Sequence, residues 1–168
     1  MITMPEHIVV MGVSGSGKTT IGQLLGEELE LPYRDGDDLH PQANIEKMAA
    51  GVPLDDDDRW PWLRLVGQWL AERPAGGIIG CSALKRSYRD LIRQAVPDVA
   101  FVHVHGSREM LDRRMSHRPG HFMPPALLDS QLATLEPLDP DERGQVFDIA
   151  YSPGELVAQA ADWVRRLS

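Results

Sequence analysis

HIVVMGVSGSGKTTIGQLLGEELE, residues 7–30, changes its hydrophobic period once, across a run of glycines. Residues 7–13 are short, β-branched and uniformly apolar, the pattern of a strand covered on both faces. From Lys18 onward Ile21, Leu24, Leu25 and Leu29 recur at helical spacing, and Pro32 stops the helix. The junction, GVSGSGKT at 12–19, matches G-x-x-x-x-G-K-[ST] in the strand-to-helix setting that its chemistry requires. Glycines let the backbone curl until successive N–H groups point inward, and the helix N-terminus and the Lys18 ammonium complete a phosphate cradle. Gly12, Ser14, Gly15, Ser16, Gly17 and Lys18 are the expected phosphate ligands, with the Thr19 hydroxyl on magnesium. The loop alone does not separate a kinase from a hydrolase or a switch.

Working outward, GIIGCS (77–82), VAFVHVHG (99–106) and VFDIAY (146–151) read as further strands. Helical patterns fill about 41–50, 60–72, 86–96, 107–117, 125–135 and 154–167. Strand and helix in alternation imply right-handed crossovers and a mostly parallel, doubly wound α/β sheet. Nothing in 1–168 marks a linker, a repeat or a second domain, and RPGHFMPP (118–125) reads as a flap. With 42% hydrophobic and 25% charged residues the chain has the composition of a soluble globular protein. A net charge of −8 argues against general nucleic-acid affinity, which needs a basic footprint. Cys81 stands alone among apolar neighbours and reads as a buried, reduced thiol. No membrane span or signal peptide is visible, so a cytoplasmic location is expected.

The usual partner of such a phosphate loop is an aspartate ending another core strand, yet IIGCS carries none. The acids of LPYRDGDD (31–38) are the substitute, since a short strand there would end facing the same loop. Extended alternation sends Asp35 and Asp37 to one side and Asp38 to the other. One of the pair is suited to hold magnesium through water, the other to orient an acceptor hydroxyl or take its proton. For an anionic acceptor, CSALKRSYRD (81–90) begins at a strand's C-terminal end with Lys85 and Arg86, while Arg89 reads as a solvated helix position. LDDDDRWPWL (54–63) adds Arg59 near a helix start with Pro61 in the first turn, its acids favouring the dipole and Trp60 and Trp62 reading as packing residues. Arg114 and Arg118 fall four apart beside the flap, placed to close over a nucleotide and stabilise a transferring phosphoryl group.

GVSGSGKTT, DGDDLHPQANIEKMAAGVPLDDDDRWPWL, CSALKRSYRDLIR and RPGHFMPPALLDSQLATLEPL follow one another as in the gluconokinases of the shikimate-kinase-like P-loop group, a resemblance covering about residues 7–143. DGDDLHP with CSALKR and GHF is far more specific than the phosphate loop. The resemblance implies a three-layer αβα kinase fold like that of nucleoside monophosphate kinases, with a five-stranded sheet, a lid at roughly 115–135, and ATP-dependent phosphorylation of D-gluconate. Carried over by motif, residues 12 to Thr20 hold ATP phosphates and magnesium, Arg114 stacks near adenine, and Arg118 is the lid arginine. Asp37 resembles the acid that orients the acceptor hydroxyl, which leaves Asp35 beside Thr19 as the magnesium pair. Arg59, Lys85 and Arg86 resemble sugar-acid contacts, and His40 and His121 match motifs that contact ligand or brace loops. A homodimer is implied by the family alone. Arg34 and Pro124-Pro125 depart from the family pattern without touching a matched catalytic position. Other readings stay open at this point: a kinase for shikimate or a nucleoside monophosphate, a nucleotide-dependent switch without a small acceptor, or an inactive nucleotide-binding module.

Overall fold

The computed structural model describes residues 6–13, 15–116 and 125–167, the side chains of 114–116 and 125–127 excepted. In chain order the elements are β1 (His7–Met11), α1 (Lys18–Leu29), β2 (Tyr33–Asp35), a 3-10 turn (Gly36–Leu39), α2 (Gln42–Ala49), α3 (Asp56–Ala71), β3 (Gly77–Gly80), α4 (Arg86–Ala95), β4 (Ala100–His105), α5 (Arg108–Ser116), α6 (Pro125–Thr134), β5 (Gly144–Asp148) and α7 (Pro153–Arg166). The strands form one sheet in the order β2-β3-β1-β4-β5, with every pairing parallel.

The central position of β1 explains its uninterrupted apolar run. Ile8 and Val10 face α1 and α7, packing with Ile21, Leu25, Leu156 and Val164. Val9 and Met11 face α3 and α4, packing with Leu63, Val66, Leu70 and Ile92. Ile8 to Met11 are closed to water, and each such side chain contributes about 1.5–3 kcal/mol on burial. The chain order reverses direction beside β1, whose neighbours are β3 and β4, so a crevice opens at the C-terminal ends of these strands. The phosphate loop and the end of β2 both reach this edge.

Two boundaries differ most from the sequence reading. Helix α3 begins at Asp56, because Asp55 and Asp58 form a reciprocal capping box: Asp58 N–H donates to Asp55 Oδ1 at 2.9 Å, and Asp55 N–H to Asp58 Oδ2 at 3.0 Å. Pro61 therefore lies in the second turn. Strand β5 starts and ends earlier than VFDIAY, since Asp148 Oδ1 accepts the Ala150 N–H at 2.9 Å and turns the chain. Among the described residues no helix is long and apolar enough to cross a membrane. The proposed flap at 118–125 lies, apart from the backbone of Pro125, outside the described residues.

Candidate active site

The phosphate loop has the shape its glycines require. A Cβ on Gly12 would stand 2.6 Å from the Val104 carbonyl and 2.7 Å from Ser16 Oγ, so no larger residue fits. Gly17 caps α1 with φ 95°, a left-handed conformation that favours glycine. Lys18 Nζ donates to the Gly12 and Val13 carbonyls at 2.7 and 3.2 Å, which holds the ammonium over its own loop. Ser16 Oγ is buried with no hydrogen-bond partner among the described residues, a donor that a phosphate oxygen would satisfy. These features fit a nucleotide phosphate. Thr19 and Thr20 open α1 beside them, whereas Ser14 lies outside the described residues.

The acids come next to this loop by a different route from the one expected. Asp35 pairs in register with Gly80 and ends β2, but at Gly36 the chain leaves the extended conformation for the 3-10 turn. Alternation therefore does not set the directions of Asp35, Asp37 and Asp38. Instead Asp35 Oδ1 accepts the Asp37 N–H at 3.0 Å and caps the turn, while Asp38 stands 3.6 Å from Arg34 Nε. The Asp37 side chain is 80% exposed. Desolvation raises its pKa, the negative Asp35 raises it further, and Lys18 and His40 pull it down. Asp35 is in register with Gly80 and the Gly12 N–H donates to the Ser82 carbonyl at 3.3 Å, so the acidic turn and the phosphate loop flank the same end of β3.

A buried histidine stands beside Asp37. The His40 side chain is only 5% exposed, with Nε2 at 3.9 Å from Asp37 Oδ1. Its ring stacks on Trp62 at 4.2 Å and 15°. Asn44 Nδ2 lies 2.9 Å from the Asp58 carbonyl, which can only accept, so it is the amide NH₂ that also faces His40 Nδ1 at 3.2 Å. His40 Nδ1 consequently accepts, and the ring proton sits on Nε2, toward Asp37. Burial lowers the His40 pKa against an opposing pull from Asp37, which keeps the ring neutral. Trp62 Nε1 donates to the Gly36 carbonyl at 2.8 Å, so this tryptophan pins the turn as well as packing. His40 is thus buried beside Asp37 and held there by Trp62 and Asn44.

The two adjacent cations at the start of α4 part company. Lys85 Nζ lies 3.8 Å from Asp56 Oδ2, and Arg59 NH1 lies 3.4 Å from Asp56 Oδ1. The Tyr88 hydroxyl donates to Asp56 Oδ1 at 2.6 Å, and both cations stand over the Tyr88 ring, 5.7 and 5.6 Å from its centroid. Arg86 turns to the segment before β5, with NH1 on Asp139 at 2.8 Å and a two-point bond to Asp141 at 2.7 and 2.8 Å. Arg89, expected to be solvated, is fully buried against Glu142. Asp56, Tyr88 and Asn44 were not singled out by sequence. Asp56 is one of a run of aspartates whose charge reads as a dipole effect, and Tyr88 and Asn44 carry no local signal. His121, Arg118 and the side chain of Arg114 lie outside the described residues.

Cys81 matches its expected state: it is buried, and burial pushes its pKa up to about 12. Among the described residues no cluster of three His, Cys, Asp or Glu side chains could hold a metal ion.

The shikimate kinase family model matches residues 14–133. A gluconokinase of Gluconobacter oxydans (strain 621H) is 50% identical over 141 residues, covering 82% of this chain and 79% of that protein. The chain belongs to the gluconokinase family. The thermosensitive gluconokinase of Escherichia coli (strain K12) is 47% identical over 158 residues, 92% of this chain and 84% of that protein. The crystal structure of a gluconokinase from Sinorhizobium meliloti 1021 superposes with a TM-score of 0.90 at 49% identity, covering 99% of this chain and 95% of that one. Gluconokinase membership makes the chain an ATP-using phosphotransferase with an alcohol acceptor. Its parallel sheet and phosphate loop are those of the P-loop kinase fold that the sequence implied.

Proposed function

We propose that the chain transfers the γ-phosphoryl group of ATP to a hydroxyl of D-gluconate, giving 6-phospho-D-gluconate. The carrying observation is the Arg59–Lys85–Asp56 cluster, two cations around one carboxylate, with Arg59 close enough to His40 to lower its pKa and His40 3.9 Å from Asp37. Its net positive charge suits the carboxylate of a sugar acid, and the Asp37 carboxylate suits a hydroxyl. The opposite charges of the two ends give the acceptor one orientation.

Lys18 and the amides of residues 12–20 hold the β- and γ-phosphates, and Asp37 accepts the proton of the attacking hydroxyl as its oxygen bonds to phosphorus. The bond from phosphorus to the β–γ bridging oxygen breaks, and ADP leaves with that electron pair. Thr19 and Asp35, the latter through water, are the residues to hold magnesium, which would offset charge on the phosphate oxygens. By the family motif Arg118 is assigned to the transferring phosphoryl group and Arg114 to adenine. Arg86 is bound to Asp139 and Asp141 and acts through the loop it holds.

The test is ADP release with ATP and magnesium, run with and without D-gluconate and with shikimate or nucleoside monophosphates in parallel. Stimulation by gluconate alone is expected. Release indifferent to every acceptor would move the chain to a nucleotide switch. A second result follows from the cluster: Lys85→Ala is expected to raise the gluconate KM roughly 10- to 100-fold, the worth of one charge-assisted hydrogen bond, while the ATP KM stays near its natural value. Equal shifts in both constants would remove Lys85 from acceptor recognition.

A further inference from the structure

Arg89 sits on α4 with its side chain wholly buried, and all five of its N–H donors are used. Nε and NH2 bind the two oxygens of Glu142 at 2.7 and 3.0 Å. NH1 donates to the carbonyls of Ala83 and Leu84 at 2.9 and 3.3 Å, and NH2 also reaches the Pro137 carbonyl at 3.3 Å. Glu142 is held in turn by the Asp139 N–H at 2.8 Å and by Arg93 NH2 at 2.6 Å. A buried ion pair of this kind is poor evidence for stability, because apolar residues of the same volume would fill the space without desolvating two charges. What an apolar residue would not supply is a grip on two successive backbone carbonyls.

Those carbonyls belong to the loop that carries Lys85. Ala83 has φ 47°, a left-handed conformation that an alanine adopts only when its surroundings impose it. The residue before it is tied to the phosphate loop, since Gly12 N–H donates to the Ser82 carbonyl at 3.3 Å. From the other side Glu136 N–H donates to the Leu84 carbonyl at 2.7 Å. Lys85 follows directly, facing Asp56.

We propose that Arg89, anchored by Glu142, is a positioning residue for the acceptor: it holds the Ala83–Leu84 carbonyls so that Lys85 is aimed into the Arg59–Asp56–Tyr88 cluster. The proposal rests on the acceptor reading given above. It concerns gluconate and not ATP, whose phosphates are assigned above to residues 12–20.

The experiment is a double-mutant cycle on the full chain, with KM for gluconate and for ATP measured for Arg89→Lys, Lys85→Ala and both together. Lysine keeps the charge but not the planar fork. Arg89→Lys is expected to raise the gluconate KM about tenfold and the ATP KM less than about twofold, and to add less than about twofold in the Lys85→Ala background. Parallel rises in both constants, or fold-changes that multiply in the double variant, overturn the proposal. Should Arg89→Lys fail to fold, the paired variant Arg89→Met with Glu142→Met carries the test, because it removes the grip on the Ala83 and Leu84 carbonyls without leaving either charge buried alone. A raised gluconate KM alone supports the proposal, and an unmoved one overturns it. Wild-type chain is run beside the variants: no stimulation by gluconate there sinks the acceptor reading itself, a result distinct from an active wild type with unmoved variants.

Discussion

Asp37→Asn is expected to lose roughly 10²- to 10⁴-fold in kcat, the usual worth of a positioned general base, while ATP binding and folding persist. The substitution is nearly isosteric and the side chain is 80% exposed, so no packing is lost. Its pKa is raised by desolvation and by Asp35, which means that the ionised carboxylate is disfavoured in the fold. A neutral amide removes the repulsion from Asp35, so the melting temperature at neutral pH should hold as activity falls. The same shift gives the wild type an acid limb: Asp37 must be ionised to accept a proton, so kcat should drop with unit slope as pH falls through a value above the ordinary aspartate range. Turnover within a few-fold of wild type in the asparagine variant would remove Asp37 as the proton acceptor.

The parts of this site that were legible in the sequence are those whose physics is local. The phosphate loop could be read because strand, glycines, lysine and helix are contiguous, and the two-sided burial of β1 shows in its unbroken apolar run. DGDD was legible as chemistry but not as geometry. A period-two argument holds only while the chain stays extended, and the Asp35 cap and the Trp62 bond to the Gly36 carbonyl bend it into a 3-10 turn. Asp56 was hidden for a different reason. Its partners Tyr88 and Lys85 come from another helix start, so within its own run of aspartates nothing distinguishes it from Asp57. Arg89 is the sharpest case. It shares the buried face of α4 with Tyr88 and Ile92, and only Glu142, 53 residues away, makes a charge tolerable there.

That dependence sets the largest expected effect on stability. Glu142→Gln keeps the shape of the side chain but leaves the buried Arg89 guanidinium without its counter-charge, a change that costs about 3–5 kcal/mol. For a chain of this size that is a fall of roughly 10 °C in melting temperature. Burial alone would raise the Glu142 carboxyl, but hydrogen bonds from Arg89, the Asp139 backbone and Arg93 outweigh it and bring it down to about 2. A carboxylate depressed in the fold stabilises above its unfolded pKa and loses that contribution as pH falls toward the folded one. Wild type should therefore shed about 3 kcal/mol from this group between pH 4.5 and 2, and the glutamine variant should lack that part of the acid slope. Matching melting temperatures and acid slopes would remove the pair from the stability of the fold. Replacing both partners by methionine separates the two roles of the pair. Stability should return, since neither charge is then buried alone. The grip on the Ala83 and Leu84 carbonyls does not return, so the gluconate KM should stay high in a protein that melts like the wild type.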